Sequence, residues 1–233
     1  MITRSIKTKL FSLIIALALP LTGMAAPITP ATIDTINPPN ACANPYPNGQ
    51  KLYDCYRYSL MYYYGVTVSN PLGNILIGKI NRWPEHIQTA ELAYTLHEDN
   101  WFRRLLSPLV GVTQTAGNFT YRVGSNQSNI AEFDLYLLFR WANLPWNNYV
   151  NTSLAIGEGV SYDSSYPSLE KKNNDNAKRF LNYLVLEATF AAPEYPRLQL
   201  VARIHHRSGA YGLYHAGNSG SNDLGLGIRY LFD

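Results

Sequence analysis

An alternation with period two, running through the second half of the chain, limits the fold more than any other feature. Ala131, Phe133, Leu135, Leu137, Phe139 and Trp141 are apolar, and Glu132, Asp134, Tyr136, Leu138 and Arg140 interleave with them. Successive side chains of a strand point to opposite faces, so this stretch predicts a strand of about a dozen residues with an apolar and a mixed or polar face. The pattern returns in Val150–Ile156, Phe180–Phe190, Leu198–Ile204 and Leu224–Phe232. Glu187, Arg203 and Arg229 fall on the opposite faces of these strands. Three less regular segments, Cys55–Val68, His86–Leu96 and Leu109–Ala116, bring the expected strand number to eight. Beyond Leu52 no apolar run approaches the ~18 residues of a helical membrane span.

The connections carry a second signal. Asn143–Asn147 and Ala192–Pro196 are tight, whereas Tyr162–Lys178 and Gly209–Ser221 are long and polar. Short turns at one end, longer loops at the other, aromatic girdles and a polar interior define the outer-membrane barrel. Tyr58, Tyr62, Tyr63, Tyr64, Trp141, Trp146 and Tyr230 are candidates for the girdles, and His97–Ser107 for a short interfacial helix. A soluble eight-stranded barrel has the same alternation with its polarity reversed. The chain has only 15% charged residues against roughly 25% in an ordinary soluble domain, which favours the membrane form. So does its end: Gly227-Ile228-Arg229-Tyr230-Leu231-Phe232 resembles the C-terminal signal of bacterial outer-membrane barrels, with Asp233 added after the final aromatic. The predicted fold is all-β, an eight-stranded antiparallel transmembrane β-barrel of outer-membrane type.

The N-terminus fits that destination. Arg4, Lys7 and Lys9 precede the apolar stretch Leu10–Leu21, and Gly23-Met24-Ala25 supplies small residues for a signal peptidase. Residues 1–25 are therefore read as a signal peptide, 26–51 as an extended Pro-, Asn- and Thr-rich arm, and 52–233 as the barrel. Without the leader, 16 basic residues balance 16 acidic ones, so there is no basic surface of the kind that binds nucleic acid. The only cysteines, Cys42 and Cys55, reach an oxidising compartment and are read as a structural disulfide. His86, His97 and His215 are scattered without metal-ligand spacing, and neither metal nor cofactor is implied.

Chemistry is expected where the apolar stripe of the seventh strand stops. Leu198, Leu200, Ala202 and Ile204 are followed on the same parity by His206 and Ser208, one alternation apart, which is the spacing a nucleophile and its base require. His205 falls on the lumen side. The run Arg203-Ile204-His205-His206-Arg207-Ser208-Gly209-Ala210, then a Gly- and Asn-rich loop and a last strand, resembles the C-terminal part of the lipid A 3-O-deacylase family over about 35 residues. That resemblance implies an outer-membrane barrel hydrolysing an ester-linked acyl chain of lipid A within lipopolysaccharide, with Ser208 as nucleophile and His206 as base. The family's orienting Glu, early in the last strand, is absent. Asn222 takes its place on the lipid-facing parity, Asp223 follows on the lumen side, and Glu158 lies on the lipid parity two strands away. Amides near Gly209 and Ala210 are candidate oxyanion donors, and Arg207 is a candidate contact for a lipid A phosphate. The alternative is a non-enzymatic small barrel with structural or adhesive loops.

Overall fold

The structure, a computed structural model, describes residue 42 and residues 47–233 apart from 126, 174, 175 and 218. The expected signal peptide and most of the expected arm lie outside the described residues. Eight antiparallel strands form a closed up-and-down barrel in chain order: β1 (Tyr58–Val68), β2 (Arg82–Thr95), β3 (Val112–Gly124), β4 (Ile130–Trp141), β5 (Asn151–Asp163), β6 (Phe180–Ala191), β7 (Leu198–Ser208) and β8 (Gly220–Phe232). Closure comes from β1 pairing with β8, from Tyr58 opposite Phe232 to Val68 opposite Asn222. Closure leaves the sheet without a free edge, as the hydrocarbon layer demands.

The polarity of the wall fixes its solvent. Leu60, Leu92, Phe119, Leu135, Leu200, Leu226 and Ile228 face outward and are exposed. Inside, Arg122, Arg140, Arg203, Arg207 and Arg229 are fully buried. A surface that is apolar outside and charged within belongs in lipid, and the chain is a barrel of the bacterial outer membrane. The lumen is filled in two charged tiers. Glu187 Oε1 binds Arg140 Nη2 at 2.7 Å and Arg229 Nη1 at 2.5 Å, while Arg203 bridges Glu187 to Glu91. Nearer the β1–β2 loop, Arg122 holds Glu132 at 3.0 Å and Asp223 at 2.9 Å, and His205 Nε2 lies 2.5 Å from Glu132.

Short helices close the two mouths. α1 (Gly49–Cys55) sits at the end that carries the C-terminus and straddles the expected boundary between arm and barrel. Its Leu52 and Tyr53 pack with Val112, Ala142 and Leu231, and the Tyr53 hydroxyl is 3.1 Å from Ser153 Oγ. A disulfide joins Cys42 to Cys55. α2 (Leu72–Leu76) lies in the β1–β2 loop, α3 (Trp101–Leu106) in the β2–β3 turn within the segment expected to be helical, and α4 (Ser168–Asn173) in the β5–β6 loop. Glu170 of α4 caps the upper tier, its Oε1 2.7 Å from Arg207 Nη1.

Some readings need correction. The first strand begins at Tyr58 rather than Cys55, because Gly49–Cys55 is helical. The third strand runs on from Ala116 to Gly124. Beyond Ala116 the inward face is polar, Asn118, Thr120 and Arg122, and that polarity hides the alternation. Tyr63 is no girdle residue: it is buried and donates to the Arg203 and Asp223 carbonyl oxygens at 3.0 and 3.1 Å. Arg207 is no rim contact for a phosphate. Its odd parity turns it into the lumen, where Asp163 and Glu170 hold it.

Candidate functional site

Polar residues interrupt the lipid-facing stripe on four neighbouring strands, all at the end opposite the chain terminus: Glu158 on β5, Asn182 on β6, His206 and Ser208 on β7, and Asn222 on β8. The register makes them neighbours. Ser208 lies between Asn182 and Gly220, and His206 between Leu184 and Asn222. Gly220 is required there, since a Cβ on it would stand 2.3 Å from the Arg207 carbonyl oxygen.

His206 Nδ1 is 2.6 Å from Asn222 Oδ1. An imidazole bound to a carbonyl-type oxygen through Nδ1 carries its proton there, so Nε2 is left as the basic nitrogen. The Asn222 Nδ2 group donates to the Asn70 carbonyl oxygen at 3.0 Å. Ser208 ends β7, and beyond it the chain bends sharply through Gly209 and Ala210, the latter in the left-handed region at φ 44°. The Ala210 amide points back at Ser208 Oγ, 3.4 Å away. Among the described residues no hydrogen bond joins His206 to Ser208. Such bonds are often long in unliganded hydrolases and tighten with substrate.

His206, Ser208 and Asn222 all line one open cleft of about 720 Å³. Asn70, Pro71 and Leu72 of the β1–β2 loop form one wall, and Gly209, Ala210 and Gly217 of the β7–β8 loop another. Its walls are polar near Ser208 and apolar at Pro71, Leu72 and Leu169, so it suits a ligand with an ester and a hydrocarbon chain.

The two remaining candidates stand apart from His206. Asp223 is buried in the lumen, accepts from Arg122 Nη1 and Nη2 at 3.0 and 2.9 Å, and takes the Thr67 hydroxyl at 2.5 Å. The β7–β8 and β1–β8 registers are continuous through it, so no bulge turns it outward. Glu158 accepts from Asn182 Nδ2, which also donates to the Gly159 carbonyl at 3.1 Å. Two residues of the constellation escape a reading of the sequence. Asn182 had a signal, being polar on the lipid parity of β6; Asn70 had none, because only the closure of β1 onto β8 brings it near. For a metal, Glu132, Asp134 and His205 offer ligand atoms within 4.8 Å of one another in the lumen. There Glu132 is already paired with Arg122, which supplies positive charge, and is in contact with His205.

Fold and site together define an outer-membrane β-barrel with a cleft and a Ser–His–Asn constellation on its outer face. Two solved structures are similar to this chain at 13% identity. One is the outer membrane enzyme PagL, covering 74% of this chain and 98% of that one with a TM-score of 0.45. The other is Ail, the attachment invasion locus protein of Yersinia pestis, covering 76% of this chain and 97% of that one with a TM-score of 0.34. No family model and no curated protein matches the sequence. Likenesses this distant leave the architecture resting on the strand pairing, and the site on its own geometry.

Proposed function

We propose that this protein is an outer-membrane ester hydrolase that removes an ester-linked acyl chain from lipid A, with Ser208 as nucleophile, His206 as general base and Asn222 as the group that orients it. The observation that carries the reading is the 2.6 Å contact between His206 Nδ1 and Asn222 Oδ1, on the lipid-facing side, in a cleft shared with Ser208. A catalytic pair facing outward meets a substrate that lies in the same membrane leaflet. Lipopolysaccharide is accordingly the partner.

Ser208 Oγ attacks the acyl carbonyl carbon while His206 Nε2 takes the hydroxyl proton. The Ala210 amide, 3.4 Å from Ser208 Oγ, is the backbone donor offered to the developing oxyanion. Collapse breaks the bond to the sugar oxygen, to which His206 returns the proton. Water, deprotonated by the same nitrogen, then releases the fatty acid from Ser208. Asn222 stabilises the imidazolium through a dipole rather than a charge, which is a weaker aid than a carboxylate. Asp223 and Glu158, engaged with Arg122 and Asn182, have no part in this scheme.

Mass spectrometry of lipid A from cells expressing the wild-type barrel or Ser208→Ala tests the proposal. Loss of one acyl chain in the wild type only is the expected result. The second reading, a non-enzymatic barrel, is favoured by one feature, the amide where a carboxylate would serve His206 better. Intact lipid A in both strains would establish it.

A further inference from the structure

The Asn222 amide has two different ends, and each already has a partner. Its Nδ2 donates to the Asn70 carbonyl at 3.0 Å and its Oδ1 faces His206 Nδ1 at 2.6 Å. Turning the amide over would set an oxygen against the Asn70 carbonyl oxygen and an N–H group against His206 Nδ1, which would then have to be the unprotonated nitrogen. The carbonyl of Asn70 thus selects which His206 nitrogen carries the proton.

That carbonyl is itself held in place. The Asn70 side chain accepts from the Asn81 amide at 2.5 Å, and Ser69 N donates to the Asn81 carbonyl at 2.9 Å, so the base of the β1–β2 loop is tied across its two ends. Pro71 follows, and a residue before proline is confined to extended backbone. Pro71 in turn starts α2, with its carbonyl accepting from Asn74 N at 2.9 Å. The loop lies two residues beyond Val68, which pairs with Asn222 across β1 and β8.

We infer that Asn70 is a positioning residue of the site: through Asn222 it keeps His206 in the tautomer protonated at Nδ1, leaving Nε2 free to act as base towards Ser208. The inference rests on the reading of His206 as the general base, and it deepens that reading by giving the β1–β2 loop a role. It also gives a reason for asparagine at 222. A carboxylate there would serve the imidazolium better but would face the Asn70 carbonyl, acceptor against acceptor.

The test is nitrogen NMR of the detergent-solubilised full-length barrel with labelled histidine, the His206 signals being assigned by their loss in His206→Gln. In the wild type the neutral ring should be protonated at Nδ1. Asn70→Ala removes the acceptor that ties the loop and should shift His206 towards the Nε2–H form, with kcat for acyl release lowered about tenfold and KM little changed. Asn70→Asp keeps the acceptor and should restore both. If Asn70→Ala does not assemble, Pro71→Ala frees the same carbonyl and serves in its place. An unchanged tautomer in the loosened variant, or an Nε2–H ring in the wild type, overturns the inference. A tautomer that moves as described, in a barrel whose wild type releases no acyl chain, upholds the inference while refuting the hydrolase, so the two failures are told apart.

Discussion

Asn182 stands directly opposite Ser208 across β6 and β7, and its amide is committed to Glu158 and to the Gly159 carbonyl. Glu158 therefore supports the floor beside the nucleophile rather than the base. Glu158→Gln, which keeps an acceptor for Asn182, should leave the rate of acyl release within about threefold of wild type. Asn182→Leu removes two hydrogen bonds worth about 1 kcal/mol each and should slow it by up to about thirtyfold. A loss near the ~10⁴-fold seen when a triad carboxylate is neutralised would make Glu158 the partner of His206 instead.

Asn222 separates orientation from charge. Asn222→Leu removes the acceptor at His206 Nδ1 and should lower kcat about 10²- to 10³-fold, within the range of general-base effects. Asn222→Asp adds the missing charge but places an oxygen against the Asn70 carbonyl, now 3.0 Å from an N–H group. It should lie between wild type and Asn222→Leu, about tenfold down. Steady-state acyl release in mixed micelles, with barrel closure followed by heat-modifiable electrophoresis, distinguishes these outcomes.

The parts of the site legible in the sequence were those fixed by parity alone. His206 and Ser208 break an apolar stripe, and in an antiparallel barrel the same rule carries Asn222 and Glu158 to the outer face. Parity also hid things. Beyond Ala116 a lumen packed with Arg–carboxylate pairs gives β3 a polar inner face, so the usual contrast between strand and loop vanishes. Four aromatics in seven residues, Tyr58, Tyr62, Tyr63 and Tyr64, mask which parity is which, so the buried Tyr63 reads in sequence like its exposed neighbours. Asn70 lay beyond any linear reading: its proximity to Asn222 is a product of barrel closure, across 152 positions of sequence.

Glu187 is shared by Arg140, Arg203 and Arg229, all fully buried. Its removal leaves guanidinium charge in the lumen without compensation, an effect of about 3–5 kcal/mol for a broken buried pair. Glu187→Ala should therefore lower the urea midpoint of unfolding in micelles far more than Leu226→Ala on the lipid face, where lipid replaces the lost contacts. Equal shifts would mean that water or protonation relieves the lower tier.

Tyr53 anchors α1 more firmly than the disulfide does. The Cys42–Cys55 loop spans 13 positions, which in the chain-entropy model corresponds to about 3 kcal/mol at most. Tyr53 is buried, stacks beneath Arg140 at 4.9 Å and bonds Ser153. Arg103 of α3 adds a 2.6 Å pair with Asp54. Reduction should leave α1 docked and resistant to limited proteolysis at Lys51. Tyr53→Ala should release it with the disulfide intact, at a cost of about 3–5 kcal/mol.

Glu170 makes the cap formed by α4 sensitive to pH. Its Oε1 meets Arg207 Nη1 at 2.7 Å and receives the Ser221 hydroxyl at 3.0 Å, while Oε2 is buried without a hydrogen-bond partner among the described residues. Burial pushes this carboxyl above the ordinary glutamate range, opposed by Arg207 and Arg122 and reinforced by Glu132. A raised folded-state pKa means that the docked cap binds the proton more tightly than the undocked one. Docking is then strongest below the ordinary glutamate pKa and weakens as pH rises through the interval up to the raised value. Trp83 reports on it, for its Nε1 lies 3.1 Å from Ser168 Oγ and Lys172 sits 4.3 Å over its ring. Tryptophan fluorescence assigned with Trp83→Phe should change as pH rises above the ordinary glutamate range, and Glu170→Gln should flatten that transition. A transition that persists unchanged in Glu170→Gln would move the sensitivity to another group of the upper tier.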